Sequence, residues 1–189
     1  MKRIAILASG SGTNAENIIK YFKNSDSISV VHVLSNKNDA KVLDRASRLD
    51  IPNRSFDKND FIATDEVLNF LKENADYVIL AGFLWKIPSK IIEAFPNKMI
   101  NIHPALLPKY GGKGMYGMHV HKTIVENKEK ETGITIHFVN ENYDEGVIIF
   151  QKNFDVLESD TPDDVAQKIH ILEYDYFPKV IEKVILEND

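Results

Sequence analysis

The sequence predicts an α/β fold built on a mostly parallel sheet, and three observations carry that prediction. Short apolar runs alternate along the chain with segments whose apolar residues recur at helical spacing. The first run, Arg3 to Ala8, is uninterrupted and rich in small and β-branched residues, the pattern of a strand buried on both faces. A glycine loop and a helix follow it directly, and a later strand ends in Asn101-Ile102-His103-Pro104, at the strand end where open α/β sheets place their sites.

A chain of 189 residues suits one well-buried domain and is short for two, so a single domain over 1–189 is expected. Hydrophobic residues make up 43% and charged residues 27%, an ordinary globular balance, and no repeat or low-complexity block interrupts it. A formal net charge of −5 disfavours binding to a phosphate backbone, which relies on clustered Lys and Arg, so nucleic acid is not an expected partner. The absence of cysteine removes disulfides, thiolate nucleophiles and cysteine-based zinc sites together. The apolar start of MKRIAILASG is too short for a signal-peptide core, and no membrane-spanning length follows. The expectation is a cytoplasmic protein with no membrane partner; nothing in the pattern selects between monomer and dimer.

Ser9-Gly10-Ser11-Gly12-Thr13-Asn14 follows the first strand, and AENIIKYFK continues as a helix. Strand, glycine loop and helix make a phosphate-binding arrangement: the glycines let the backbone approach an anion, and the helix presents unpaired N–H groups and its positive dipole end. Thr13 or Asn14 is placed to cap the helix or to bind the anion. The alternative is a tight turn whose glycines serve conformation alone. With Ala15 the stretch also matches G-x-G-x-x-A, the dinucleotide fingerprint, but the second strand, Ile28 to Leu34, ends in Ser35-Asn36-Lys37 with no carboxylate before Asp39. A monophosphate suits the loop better than a dinucleotide.

Lys41 to Leu49 reads as a helix, Pro52 to Phe56 as a short strand, Asp65 to Asn74 as a helix with Val67, Leu68, Phe70 and Leu71 on its apolar side, and Tyr77 to Ala81 as a strand. Gly82 to Pro88 is a loop carrying Phe83, Leu84 and Trp85, which either pack on the next helix or wall a pocket for a flat ring. Ser89 to Ala94 is a short helix.

In the strand from Met99, Asn101 and His103 alternate and so share a face, and Pro104 stops the pairing. Alone, Asn101 could cap a turn and His103 could be a satisfied histidine at a strand end. Gly111 to Gly117 is too glycine-rich for an element and reads as a mobile loop. His119 and His121 on the helix Met118 to Asn127 diverge by about 200°, which argues against a metal pair. Thr132 to Asn140 alternates as a strand containing His137, and Asp144 falls in a turn before the strand Val147 to Phe154. Thr161-Pro162-Asp163-Asp164 starts a last helix, which Pro178 should kink or divide, and Glu173 borders its buried side.

Taken together, SGSGTN at 9–14, LAGFLWKI at 80–87, NIHPALLPKY at 101–110, YDEG at 143–146 and HILEYDYFP at 170–178 resemble the phosphoribosylglycinamide formyltransferases, the folate-dependent glycinamide ribonucleotide transformylase family. The resemblance runs in order from the first strand to the last helix. It implies a Rossmann-like three-layer sandwich of the formyltransferase type. It also implies direct transfer of the formyl group of 10-formyltetrahydrofolate to the amine of N1-(5-phosphoribosyl)glycinamide in a ternary complex, a step of purine synthesis. The partners would be these two small molecules, with the folate as co-substrate and no metal.

By the same resemblance Asn101, His103 and Asp144 are catalytic: Asn101 donates to the oxyanion, His103 acts as imidazolium and then moves a proton, and Asp144 favours the charged ring. Gly12, Thr13, Asn14 and Glu173 would hold the ribonucleotide, and Leu84, Trp85, Lys86 and Ile87, with Asn101, the folate. Two departures stand out. GGKGMYGMHVH is longer than the family's usual form, and NDFIATDE lacks the arginine that many members bring toward the folate.

The relatives with other acceptors carry an added domain, for RNA or for regulation, and a chain ending at Asp189 is expected to have neither. A formyltetrahydrofolate hydrolase or another formyltransferase of the same fold is the nearest alternative. A nucleotide-monophosphate binding module without chemistry is the non-enzyme one.

Overall fold

A computed structural model describes residues 1–188. Its strands are β1 (Lys2–Leu7), β2 (Ile28–Ser35), β3 (Asn53–Ser55), β4 (Tyr77–Leu80), β5 (Met99–His103), β6 (Glu131–Phe138) and β7 (Ile148–Asp155). The helices are α1 (Thr13–Phe22), α2 (Lys41–Arg48), α3 (Glu66–Asn74), α4 (Ser89–Ala94), α5 (Met118–Glu126) and α6 (Pro162–Glu187). The strands form one sheet in the order β3-β2-β1-β4-β5-β6-β7, parallel through β5 and antiparallel across β6 and β7. The fold class is therefore the mostly parallel α/β sandwich that the sequence predicts.

Alternation along β1 builds the three layers. Ile4 and Ile6 face one side, where they join Ile18 and Phe22 of α1 and Ile169, Phe177 and Ile181 of α6. Ala5 and Leu7 face the other, with Val67 and Leu71 of α3 and Ile91 of α4. Both sides are dry: these residues range from fully buried to 4% exposed. Burying an aliphatic or aromatic side chain of this size contributes about 1.5–3 kcal/mol, so the central strands are stabilised from both faces.

Two local expectations are corrected, and one further element is present that the sequence did not predict. Gly12, not Thr13 or Asn14, is the N-cap of α1, and no side chain caps that helix. Pro178 does not divide α6, which runs on through it as one helix. NDFIATDE begins with a π-helical turn, Asn59–Ala63, that the apolar spacing did not announce. Its Phe61 is fully buried and stacks on Phe56 beside Phe83 and Trp85. At the start of α6 the Thr161 side chain accepts from the Asp164 N–H, and the Asp164 carboxylate accepts from the Thr161 N–H, a capping box that satisfies two otherwise unpaired donors. Among the described residues no helix is long and apolar enough to cross a membrane.

The strand order reverses between β1 and β4, because β2 and β3 lie on one side of β1 and β4 and β5 on the other. Their C-terminal loops meet there: the Ser9 N–H donates to the Gly82 carbonyl (3.0 Å), and the Leu84 N–H to Ser9 Oγ (2.9 Å). A crevice at such a switch point is where this class of sheet binds ligands.

Candidate active site

The crevice opens into a cavity of about 580 Å³. Its walls come from the loop after β1 (Gly10–Asn14), the loop after β4 (Ala81–Leu84), the end of β5 (Asn101–Pro104), the glycine-rich segment from Gly112, and α6 (Ile169, His170, Glu173). Gly12, Thr13, Asn14, Leu84, Asn101, His103, Asp144 and Glu173 all line it. A smaller crevice of about 60 Å³ is lined by Trp85, Lys86 and Ile87. Phe83, Asn101, Tyr143 and Asp144 line both spaces, so the amide and the carboxylate stand at their boundary. The Phe83–Trp85 stretch packs and walls at once: Trp85 rests on Phe56, Phe61 and Phe83, and Leu84 stays exposed.

The hydrogen-bond pattern fixes the ring protons at the centre. His103 is 4% exposed, and its Nε2 lies 2.7 Å from the Tyr110 carbonyl. A carbonyl only accepts, so Nε2 carries the hydrogen, and in the neutral ring Nδ1 keeps a lone pair. That Nδ1 lies 3.6 Å from Asp144 Oδ2. His137 is fixed the other way: Nδ1 donates to the Phe138 carbonyl (2.9 Å), leaving Nε2 to accept from the Asn101 amide at 3.0 Å. Asn101 therefore has its Nδ2 turned toward His137, with a second N–H on the same nitrogen to offer.

Asp144 converges on this group although it lies in a turn, with a positive φ of 56°. Besides its approach to His103, it accepts from the Gly112 N–H (2.9 Å) and faces His137 Nε2 at 3.7 Å. Gly146 explains the sequence pattern around it, since a Cβ there would lie 1.6 Å from the Phe138 carbonyl oxygen. Only glycine lets the turn press against the end of β6. The carboxylate is not the local turn group that its sequence context alone suggested.

Burial is the largest influence on His103 and pushes its pKa below the ordinary histidine value, against the upward pull of Asp144. Asp144 does favour the charged ring, as expected, but burial outweighs it, so the resting ring is inclined to be neutral. Burial also pushes Asp144 up, but His137, His103 and the Gly112 N–H together outweigh it and hold the carboxyl below its ordinary value.

Glu173 is 5% exposed and ties the loop after β1 to α6: Asn14 Nδ2 donates to its Oε2 (2.9 Å), and His170 Nδ1 lies 2.9 Å from the same oxygen. That contact raises the His170 pKa. Sequence reasoning missed His170 and the orienting role of His137. The signals were the i, i+3 spacing of His170 to Glu173 and the register that sets His137 opposite Asn101. Of the histidine pair on α5, His121 is buried and lines the cavity, whereas His119 is exposed.

Comparison with known proteins identifies the family of this fold. Residues 2–181 match the model of a family described as formyl transferase. The chain is 37% identical over 99% of its length to a chloroplastic phosphoribosylglycinamide formyltransferase of Arabidopsis thaliana, of which it spans 66%. It is 35% identical over 97% of its length to the trifunctional purine biosynthetic protein adenosine-3 of Chironomus tentans, of which it spans 14%. A crystal structure of phosphoribosylglycinamide formyltransferase from Bacillus halodurans superposes with a TM-score of 0.88 at 34% identity, covering 100% of this chain and 97% of that one. Similarity of this extent in both sequence and fold leads to one conclusion: the chain belongs to the formyl transferase family, a family of group-transferring enzymes.

Proposed function

We propose that this enzyme transfers the formyl group of 10-formyltetrahydrofolate to the amine of N1-(5-phosphoribosyl)glycinamide, in purine biosynthesis, with Asn101, His103 and Asp144 as its catalytic residues. The names of its relatives support the reaction, and one observation supports the mechanism: an amide N–H and a carboxylate stand where two cavities join, with an imidazole lone pair 3.6 Å from that carboxylate. The ribonucleotide takes the larger cavity, with its phosphate at Gly12, Thr13 and Asn14 and its ribose toward Glu173. The folate enters along Leu84, Trp85, Lys86 and Ile87.

The amine attacks the formyl carbon, a C–N bond forms, and the carbonyl oxygen becomes an oxyanion. The second N–H of Asn101 donates to it, a contribution of about 2.7–4 kcal/mol for donors of this kind. His103 Nδ1 takes the proton that the attacking nitrogen sheds, and the carboxylate 3.6 Å away stabilises the imidazolium so formed. The same proton passes to folate N10 as its bond to the formyl carbon breaks, so the step ends with His103 neutral again. A ring that begins neutral suits this order.

Turnover followed by the absorbance of the deformylated folate, with each substrate omitted in turn, tests the reading. Both substrates should be required, and H103A should bind the ribonucleotide normally while losing about 10²–10⁴ in rate. Folate release without the ribonucleotide would make the protein a hydrolase, and full activity in H103A would remove the ring from the mechanism.

A further inference from the structure

We propose that Lys113 is the cation that recognises the substrate's phosphate; this inference rests on the reading of the substrate as a phosphorylated ribonucleotide. The cavity's charge balance motivates it. Asp144 and Glu173 contribute two carboxylates to the walls, and Lys113 is the only Lys or Arg among the described residues lining them. A phosphomonoester brings about 1.5–2 further negative charges at pH 7, and the N-terminus of α1 offers roughly half a positive charge against them. Of the other wall groups that favour a positive charge, His170 is already bound to Glu173, so without Lys113 the phosphate would meet only the helix end and that shared imidazole.

The side chain is free for that task. Lys113 is exposed and makes no ion pair among the described residues, and it is the one such lysine that lines the cavity. Its backbone is held on the Gly112 side, where the Gly112 N–H is bonded to Asp144 at 2.9 Å and the Gly112 carbonyl accepts from the Met115 N–H at 3.1 Å. One residue therefore separates the catalytic carboxylate from the proposed phosphate cation, so a phosphate held by Lys113 is held in register with the reacting groups.

Two unpartnered atoms mark the same cavity as a polar ligand's site. Asn14 Oδ1 and His121 Nδ1 are buried without a hydrogen-bond partner, on residues that line it, and His121 is 4% exposed. Atoms of this kind are costly unless a ligand group completes them, and ribose hydroxyls have the chemistry to do so.

The test compares wild type, K113A and K113R in two measurements. In turnover, K113A should raise KM for the ribonucleotide roughly 10- to 150-fold, the loss of one charge-assisted hydrogen bond, with a smaller effect on kcat. The penalty should shrink at least about tenfold with the dephosphorylated glycinamide riboside, and K113R should recover most of the loss. In calorimetry, ribose 5-phosphate should bind wild type and K113R but weaken in K113A by a similar factor. Equal affinity of wild type and K113A for ribose 5-phosphate, or an equal penalty on both turnover substrates, would overturn the proposal. If wild type fails to use the ribonucleotide at all, the functional reading falls, and the ribose 5-phosphate titration still decides the role of Lys113.

Discussion

Two glycine loops face each other across the cavity, and they are built differently. The loop after β1 is held on every side. Its Gly10 carbonyl accepts from the Val42 N–H (3.1 Å), its Ser11 carbonyl from Arg45 Nε (2.8 Å), and Arg45 is in turn paired with Glu16. The segment Gly111–Gly117 is tied mainly through Gly112, whose N–H reaches Asp144 and whose carbonyl accepts from Met115 (3.1 Å). One loop is part of the packed sandwich and the other hangs from the Asp144 carboxylate. The difference teaches that glycine can serve close packing in one place and an unusual backbone path in another, with separable consequences.

Gly12 should give the largest effect. It has a φ of +75°, and a Cβ would lie 2.3 Å from Val42 Cγ2, so G12A adds strain to an overlap between α1 and α2. We expect a loss of about 2–5 kcal/mol in urea unfolding, with ribonucleotide binding weakened as the loop shifts. A loss below about 1 kcal/mol would mean that the first loop yields as readily as the second. Gly114 should give the smallest effect. Its φ is +91° but a Cβ there meets nothing within 4 Å, so G114A carries the backbone penalty alone, about 1–2 kcal/mol or less where the segment readjusts. Stability losses of equal size in the two variants would erase the distinction.

The sequence showed the first loop more clearly than the second for the same physical reason. A buried strand and an amphipathic helix flank Gly10–Gly12 and give the motif a frame, and the strand Met99–His103 likewise put Asn101 and His103 on one face. Local patterning does not encode partners distant in sequence. By local pattern alone, without the family resemblance, Asp144 read as a turn residue, because its convergence on His103 depends on Gly146 pressing against β6. His137 read as a sheet histidine because its effect on Asn101 needs the β5–β6 register. The π-helical turn was missed because its signal is the single aromatic Phe61 rather than a helical period. The burial that opposes Asp144 at His103 was not legible because desolvation is a property of the whole fold, whereas the neighbouring carboxylate could be named from a motif.

That last point is the centre of the mechanism and is open to direct measurement: a ¹⁵N NMR titration of the His103 ring in wild type and D144N, beside the acid limb of turnover. Burial lowers the ring's pKa and the Asp144 anion raises it, so removing the anion must lower it further. The wild-type midpoint should lie below the ordinary histidine value of about 6.5, and activity should fall as pH drops through it, because a protonated Nδ1 cannot accept the proton. In D144N, both the midpoint and the acid limb should move to lower pH, with a slower maximal rate. A wild-type midpoint above about 6.5, or a limb that Asp144 does not move, would contradict the account.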